Sequence, residues 1–136
     1  MAKEAGLAIT TLSVDDSAGT PRDIRNDIGS FQFATPRAAQ DVTGIDKSAI
    51  ERLLLLADFS ITLNAPAFDD ATNLFHAVFK TVPSTSVPRT TSINISGQTL
   101  ACEVLYTDYQ FNRGADASLN LTVPGVLADG TVPTWS

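Results

Sequence analysis

The stretch Phe59–Lys80, FSITLNAPAFDDATNLFHAVFK, decides the fold because its apolar period changes from 2 to about 3.6 along its length. In its first part, apolar and polar residues alternate, as in a strand with one buried face. After Pro66, apolar residues recur at helical spacing, and Asp69 and Asp70 precede them as candidate helix N-caps. The pattern predicts one strand followed by one helix at about residues 70–80.

Strand patterns lie on both sides of this stretch, so the chain is predicted to be mainly β, of the α+β type, with a single helix. The phase of the longest alternating segment slips near Thr107–Asp108, which predicts a bulge. With 136 residues and no shift in composition, one domain spanning 1–136 is expected. The alternating segments are Gly6–Val14, Ser30–Ala34, Arg89–Ser96, Thr99–Phe111 and Ser118–Val123.

The region between the second strand and Phe59 is harder to interpret. Thr35–Asp46 has the composition of a loop, with proline and glycine as breakers. For residues 46–56 two readings stay open. Ser48 and Glu51 have capping-box spacing, which favours a helix. The four consecutive leucines Leu53–Leu56 end abruptly and lead straight into a strand, which favours a hairpin.

The charge distribution excludes one broad class of function. The net charge is −6, acidic residues are scattered, and the nine lysines and arginines form no basic run. Such a surface repels a phosphate backbone, which argues against tight nucleic-acid binding. An acidic surface would nevertheless suit a protein past which DNA slides without adhering.

No catalytic, cofactor or metal site is predicted. His76 is the only histidine and Cys102 the only cysteine, which excludes multi-histidine and zinc-finger sites. Dinucleotide-binding, P-loop and nucleophile-elbow motifs are missing from the sequence. The longest aliphatic run, Leu53–Ala57, is too short to span a bilayer, so no membrane association is expected. The sequence begins without a long apolar signal segment, so synthesis in a cytoplasm is expected.

Three stretches carry a recognisable pattern: VTGIDKSAIERLLLLADFSITLN (Val42–Asn64), FDDATNLFHAVFK (Phe68–Lys80) and SGQTLACEVLYTDYQFNRGADASLNLTVPGVLADGTVPTW (Ser96–Trp135). Its motifs are a V-T-G loop leading to E-R-L, an A-D turn, and a closing segment of the S-V-P-G-V-L type, matched here by Leu121–Leu127. In this order the segments resemble the major tail protein, or tail tube protein, of long-tailed, non-contractile bacteriophages (siphoviruses), particularly the compact versions from phages of actinobacteria.

The resemblance implies a β-sandwich or half-barrel flanked by one helix, and it favours the hairpin for the leucine region. It implies a structural, non-enzymatic protein that forms hexameric rings, which stack into the tube of a virion. DNA would pass through as non-adhering cargo during ejection, and tape-measure, terminator and baseplate proteins would be partners. Assembly would take place in the bacterial host cytoplasm. The alternative is a ring-forming connector, tail terminator or secretion-system tube protein of the same fold.

Two sets of residues are candidates for roles in such a tube. Polar positions on alternating strands are expected to face the lumen, and these are Ser60, Thr62, Asn64, Asn94 and Glu103. Charged positions in long loops are expected to contact neighbouring subunits or rings, and these are Arg22, Asp23, Arg25, Asp27, Asp46, Lys47, Glu51 and Arg52.

Overall fold

The computed structural model describes residues 3–70 and 74–136, and 48% of the chain is strand. This confirms a mainly β fold. Two short 3-10 turns, Gly6–Ala8 and Arg25–Asp27, and one helix, α1 (Phe75–Phe79), accompany the strands. The strands are β1 (Ile9–Asp15), β2 (Pro21–Asp23), β3 (Ser30–Ala34), β4 (Arg37–Asp41), β5 (Arg52–Ala57), β6 (Ser60–Ala65), β7 (Arg89–Ile95), β8 (Gln98–Tyr106), β9 (Gln110–Arg113), β10 (Leu119–Leu127) and β11 (Thr134–Trp135).

Nine of these strands form one antiparallel sheet, in the order β2-β1-β7-β8-β10-β6-β3, with β11 paired to β8 and β9 to β10. One face of this sheet carries the core. Buried residues recur at every second position along β1, β6, β7, β8 and β10, as alternation predicts, and most of them are apolar. Arg89 and Thr91 on β7 are buried polar exceptions. Helix α1 covers the same face with Phe75, Val78 and Phe79, all of them buried. The helix is therefore the packing layer of a single core.

The sheet curls so that its two ends approach each other, which corresponds to the half-barrel of the prediction. Strands β1 and β3 lie near opposite ends of the strand order. Ile9 and Leu12 from β1 nevertheless line one surface groove together with Ile28 and Phe31, on the β3 side. The 3-10 turn Arg25–Asp27 closes part of this gap, since Ile24 is buried there and donates its N–H to the Leu12 carbonyl at 3.0 Å.

The predicted bulge near Thr107–Asp108 is present, because the long strand is interrupted at residues 107–109 between β8 and β9. Both parts pair with β10, which crosses the break. The crossing is tight at Gly125, where an added Cβ would lie 2.6 Å from Val104 Cγ1 and 2.9 Å from the Tyr106 ring. Only glycine allows the backbone of β10 to approach β8 this closely.

The helix is shorter than predicted, and the aspartates are not its N-caps. It begins at Phe75 rather than near residue 70, and its N-cap is Leu74, which has extended backbone angles and makes no side-chain cap hydrogen bond. The first helical N–H, that of Phe75, instead donates to the buried carboxylate of Asp27 at 3.1 Å. Asp69 and Asp70 precede Leu74 by several residues. The acceptor for the first helical N–H is therefore Asp27, which comes from another part of the chain. Residues 71–73 of the predicted helix lie outside the described part of the structure.

The predicted loop Thr35–Asp46 is wrong in its first half, because β4 occupies Arg37–Asp41. Strand β4 pairs with β5 in a separate two-stranded sheet. The capping-box helix at Ser48 does not form, since residues 46–51 make turns and bends at the hairpin tip. The open choice at residues 46–56 is thereby resolved in favour of the hairpin. Pairing with β4 satisfies backbone groups of β5 that a loop would have left to water.

Candidate assembly surfaces

The face of the large sheet that points away from the core is lined with small polar side chains. On β6, Ser60 and Thr62 are exposed and Asn64 is half-buried, alternating with buried Ile61 and Leu63. The register places Asn64 between Ser30 on β3 and Thr122 on β10, and Thr62 beside Gln32 on β3. The other registered neighbours, Ala34, Pro124 and Val126, are apolar.

Asn94 and Glu103, the remaining candidate lumen residues, lie on the same face but are engaged within the chain. The Asn94 carboxamide accepts from Thr10 Oγ1 at 2.7 Å and donates to Thr99 Oγ1 at 2.8 Å. Thr90 Oγ1 donates to the Glu103 carboxylate. Asn64 likewise accepts from Thr122 Oγ1 on β10 at 3.2 Å. All five candidates therefore share one surface, and three of them also hydrogen-bond to a neighbouring strand.

This polar face contains no lysine or arginine among the outward positions of β1, β3, β6, β7, β8 and β10. Its ionisable groups are carboxylates. Burial raises the pKa of Asp15 despite the Thr90 hydrogen bond, and the nearby charge of Glu103 raises it further. The surface is thus neutral to negative, and hydroxyl and amide groups supply most of its polarity.

The hairpin formed by β4 and β5 is the most unusual surface of the molecule, and we call it the leucine ribbon (residues 37–57). All residues of both strands are exposed except Ala57. Leu53, Leu54, Leu55 and Leu56 are 57%, 61%, 41% and 90% exposed. An isolated two-stranded hairpin is at best marginally stable in water. This one lies against the rest of the described chain only near its base, where Val132 lines a groove with Leu54–Leu56.

The tip of the ribbon, residues 42–51, is held by the threonine of the V-T-G motif. Thr43 Oγ1 donates to the Asp41 carboxylate at 2.6 Å and accepts from the Glu51 N–H at 2.7 Å, so the hydroxyl bridges the two strands. The Val42 N–H adds a bond to the Glu51 carbonyl at 2.9 Å. These hydrogen bonds from Thr43 lower the pKa of Asp41. The tip is therefore fixed in shape while it presents the exposed side chains of Ile45 and Ile50.

The predicted contact residues fall into two groups. Asp46, Lys47 and Glu51 are exposed on the tip of the ribbon, and Arg52 is exposed beside it at the start of β5. The earlier group is used largely inside the chain. Arg22 pairs with Asp16 at 3.3 Å, and Arg25 with Asp23 at 2.9 Å. Asp27 is only 9% exposed and bonds to α1, so it is a fold residue rather than an accessible contact.

The two ends of the large sheet differ in how they are protected. Strand β2 has three residues, begins with a proline and carries two charges, features that discourage further pairing. Strand β3, with the sequence SFQFA, has neither charge nor proline, and in the described part of the chain it pairs only with β6. Its other edge is therefore open to an added strand.

The remaining polar groups give no sign of catalysis. Among residues 3–70 and 74–136, no cluster of three or more His, Cys, Asp or Glu side chains could hold a metal ion. Burial raises the pKa of the Cys102 thiol to about 11, which makes it a poor nucleophile. His76 Nδ1 lies 3.0 Å from the Tyr109 hydroxyl within an aromatic cluster that packs on α1. In the same described residues, no helix is long and apolar enough to cross a membrane.

Sequence reasoning included the hairpin among its alternatives but missed its partner strand β4, its exposure to solvent and the role of Thr43. The signal for the ribbon was present in the unbroken leucine run, which is typical of a strand covered on both faces rather than of one covered on a single face. The hydrogen bonds of Thr43 depend on how β4 and β5 pair, and no local pattern encodes that pairing.

Comparison with known proteins places the fold among phage-type tails. No protein-family model and no curated sequence matches the chain. Among solved structures, a chain from the tail of an empty gene transfer agent particle with C6 symmetry has a TM-score of 0.70 at 16% identity, over 98% of both chains. A chain of the native gene transfer agent virion has a TM-score of 0.68 at 11% identity, covering 98% of this chain and 99% of that one. A chain of the six-fold symmetrised anti-feeding prophage baseplate has a TM-score of 0.66 at 13% identity, covering 100% and 97%. The chain therefore has, along nearly its whole length, the fold of phage-type tail and baseplate proteins.

Proposed function

We propose that this protein is the tail tube subunit of a phage-type particle and that it assembles into stacked hexameric rings. The observation that carries the proposal is the uncovered leucine ribbon on a fold shared with a C6-symmetric tail. Apolar surface of this extent on a monomer indicates an interaction site. Further copies of the chain are the partners that a ring-forming fold supplies.

In this proposal the open edge of β3 pairs with a strand of the next subunit in the ring, because pairing around a closed ring leaves no edge exposed. The charged residues of the ribbon tip contact the adjacent ring, and Arg22, Asp23 and Arg25 lie at a second contact. The particle is of the siphovirus type, of the actinobacterial-phage kind, and is assembled in the host cytoplasm. Tape-measure, terminator and baseplate proteins are the further partners.

The polar sheet face lines the lumen, with Ser60, Thr62, Asn64, Asn94 and Glu103 among its residues. A face without cations gives DNA no binding site, so DNA is ejected past it without adhering.

Microscopy of the purified protein tests the assembly. We expect negative-stain images at high protein concentration to show tubes or stacks of six-fold rings. Single rings that never stack would favour a second candidate, a connector or baseplate-type ring protein. The similarity to a chain of the anti-feeding prophage baseplate supports this second candidate. Strict monomers at every concentration would refute both. Arg52→Glu is expected to prevent stacking of the rings. If this variant still forms tubes, Arg52 and the adjacent ribbon tip do not form the contact between rings.

The lumen assignment has a separate test with a matched control. Tubes of Thr62→Lys would carry a ring of added cations inside, whereas Ser17→Lys adds the same charge in an exposed turn between β1 and β2. After assembly with short duplex DNA and treatment with nuclease, we expect protected DNA only with Thr62→Lys. Equal protection by the two variants, or none, would show that Thr62 does not face the lumen.

A further inference from the structure

The leucine ribbon exposes apolar residues on both of its faces. Leu53 and Leu54 lie on opposite faces of the ribbon, because they are successive strand residues that pair with Gln40 and Ala39 on β4. The pairing slips by one residue between Leu54–Ala39 and Ala57–Arg37, so alternation does not assign Leu55 and Leu56 to a face. On each face at least one leucine is more than half exposed.

A strand that is covered on one face only alternates apolar and polar residues, as β6 does in this chain. A continuous apolar run is the pattern of a strand covered on both faces. Within the described chain, neither face of β5 is covered, apart from the partial contact near Val132. The leucine run of β5 is therefore typical of a strand covered on both faces, but the described part of a single chain does not provide that cover.

Charge indicates which molecule supplies the cover. The chain carries a net charge of −6, so its copies repel one another in general. The ribbon is an exception. It holds three cations (Arg37, Lys47 and Arg52) and three anions (Asp41, Asp46 and Glu51). The ribbon therefore has no net charge and does not repel another copy of this acidic chain, whereas the rest of the surface does.

A groove with several apolar residues is present on the same chain. It lies where the sheet ends approach each other and has a volume of about 560 Å³. Leu7, Ile9, Leu12, Ile28 and Phe31 line it together with Arg25 and Ser30. Leu7 is almost fully exposed there. The groove lies at the start of β3, whereas the ribbon follows the end of β3, so the two surfaces belong to different parts of the molecule.

From these observations, and resting on the proposed function, we infer that the leucine ribbon is a two-sided joint that packs between two other copies of this chain. One copy covers the face of Leu54, and a second copy covers the face of Leu53. The contacts between copies are thus made by one short segment that is apolar and has no net charge, whereas the rest of the negatively charged surface repels other copies.

The test compares two single variants that change one face each, Leu53→Thr and Leu54→Thr. Threonine keeps a high strand preference, and both positions are exposed, so the monomers should retain wild-type thermal stability and circular dichroism. Val126→Thr is the control, since Val126 is a strand residue of comparable exposure on the polar sheet face. Assembly is measured as the protein concentration at which tubes pellet in the ultracentrifuge.

We expect each of the two leucine variants to raise that concentration at least tenfold and the control to leave it within twofold. If one leucine variant assembles like the wild type, the ribbon is covered on one face only and the inference is wrong, while the proposed function stands. If the wild type itself never assembles, the proposed function fails and the inference fails with it.

Discussion

The hydrogen bond between Asp27 and the first N–H of α1 should make Asp27→Ala measurably destabilising. The bond joins residues 48 positions apart, is buried, and has an N–O distance of 3.1 Å. It replaces the local N-cap that Leu74 does not provide. Loss of an N-cap acceptor costs about 1 kcal/mol, with a range of roughly 0.5–2. Burial of the group places the expected loss in the upper part of that range, at about 1.5 kcal/mol.

The corresponding shift in melting temperature follows from chain length. Unfolding entropy of about 2.1 cal/mol/K per residue, for 136 residues, gives roughly 0.29 kcal/mol/K at the midpoint. A loss of about 1.5 kcal/mol therefore lowers the melting temperature by about 5 °C. Calorimetry of the monomer measures this shift directly, and urea unfolding gives the free energy independently.

Asp70→Ala is the matched control, because Asp70 is the exposed aspartate that local sequence rules place at the helix start. We expect it to change the free energy of unfolding by less than about 0.5 kcal/mol. Equal losses for the two variants, or a larger loss for Asp70→Ala, would refute the assignment of the cap to Asp27. Asp27→Asn, which retains a carboxamide oxygen as acceptor, should recover part of the lost stability.

Three further predictions concern the monomer. Gly125→Ala should cost about 1–3 kcal/mol in urea unfolding, because its Cβ would overlap Val104 and the Tyr106 ring, whereas Gly6→Ala, with nothing within 4 Å, should be neutral. Thr43→Val should speed hydrogen exchange of the Glu51 amide by about tenfold through loss of its acceptor, and an unchanged rate would contradict the bridging role. Hydrogen bonds from the Thr20 and Ala18 backbone lower the pKa of Asp16 below the ordinary 3.8, so the ionised form contributes stability that is lost as the pH falls through the folded-state value. Asp16→Asn should therefore flatten the fall in melting temperature below about pH 4, and an identical acid profile would count against that contribution.

Alternation along the chain predicted the strands that have one buried face. Strands β3, β6 and β7 lie where the pattern placed them, and the phase slip at Thr107–Asp108 marks a real break in the sheet. These features depend on near neighbours in sequence, so local periodicity reports them well. The polar candidates Ser60, Thr62 and Asn64 were placed on a common face for the same reason.

The errors lie where distant segments decide the local structure. Strand β4 has loop composition and forms because β5 pairs with it. The helix starts at Phe75 because the carboxylate that receives its first N–H comes from the turn after β2, and no pattern around Asp69 could reveal that. The leucine run was ambiguous because it forms a strand by pairing with β4, a segment of loop composition, and is exposed there although its residues are apolar.

Two apolar faces on one hairpin have a consequence for stoichiometry. If two copies join through one face of each ribbon, the second face of both remains exposed, so pairing does not finish the association. Growth then continues until every ribbon lies between neighbours, and the copies at each end of the assembly keep one face uncovered. Heterologous contacts of this kind produce open-ended filaments unless a ring closes. The length of such a filament has to be set by a different molecule that covers the terminal ribbons.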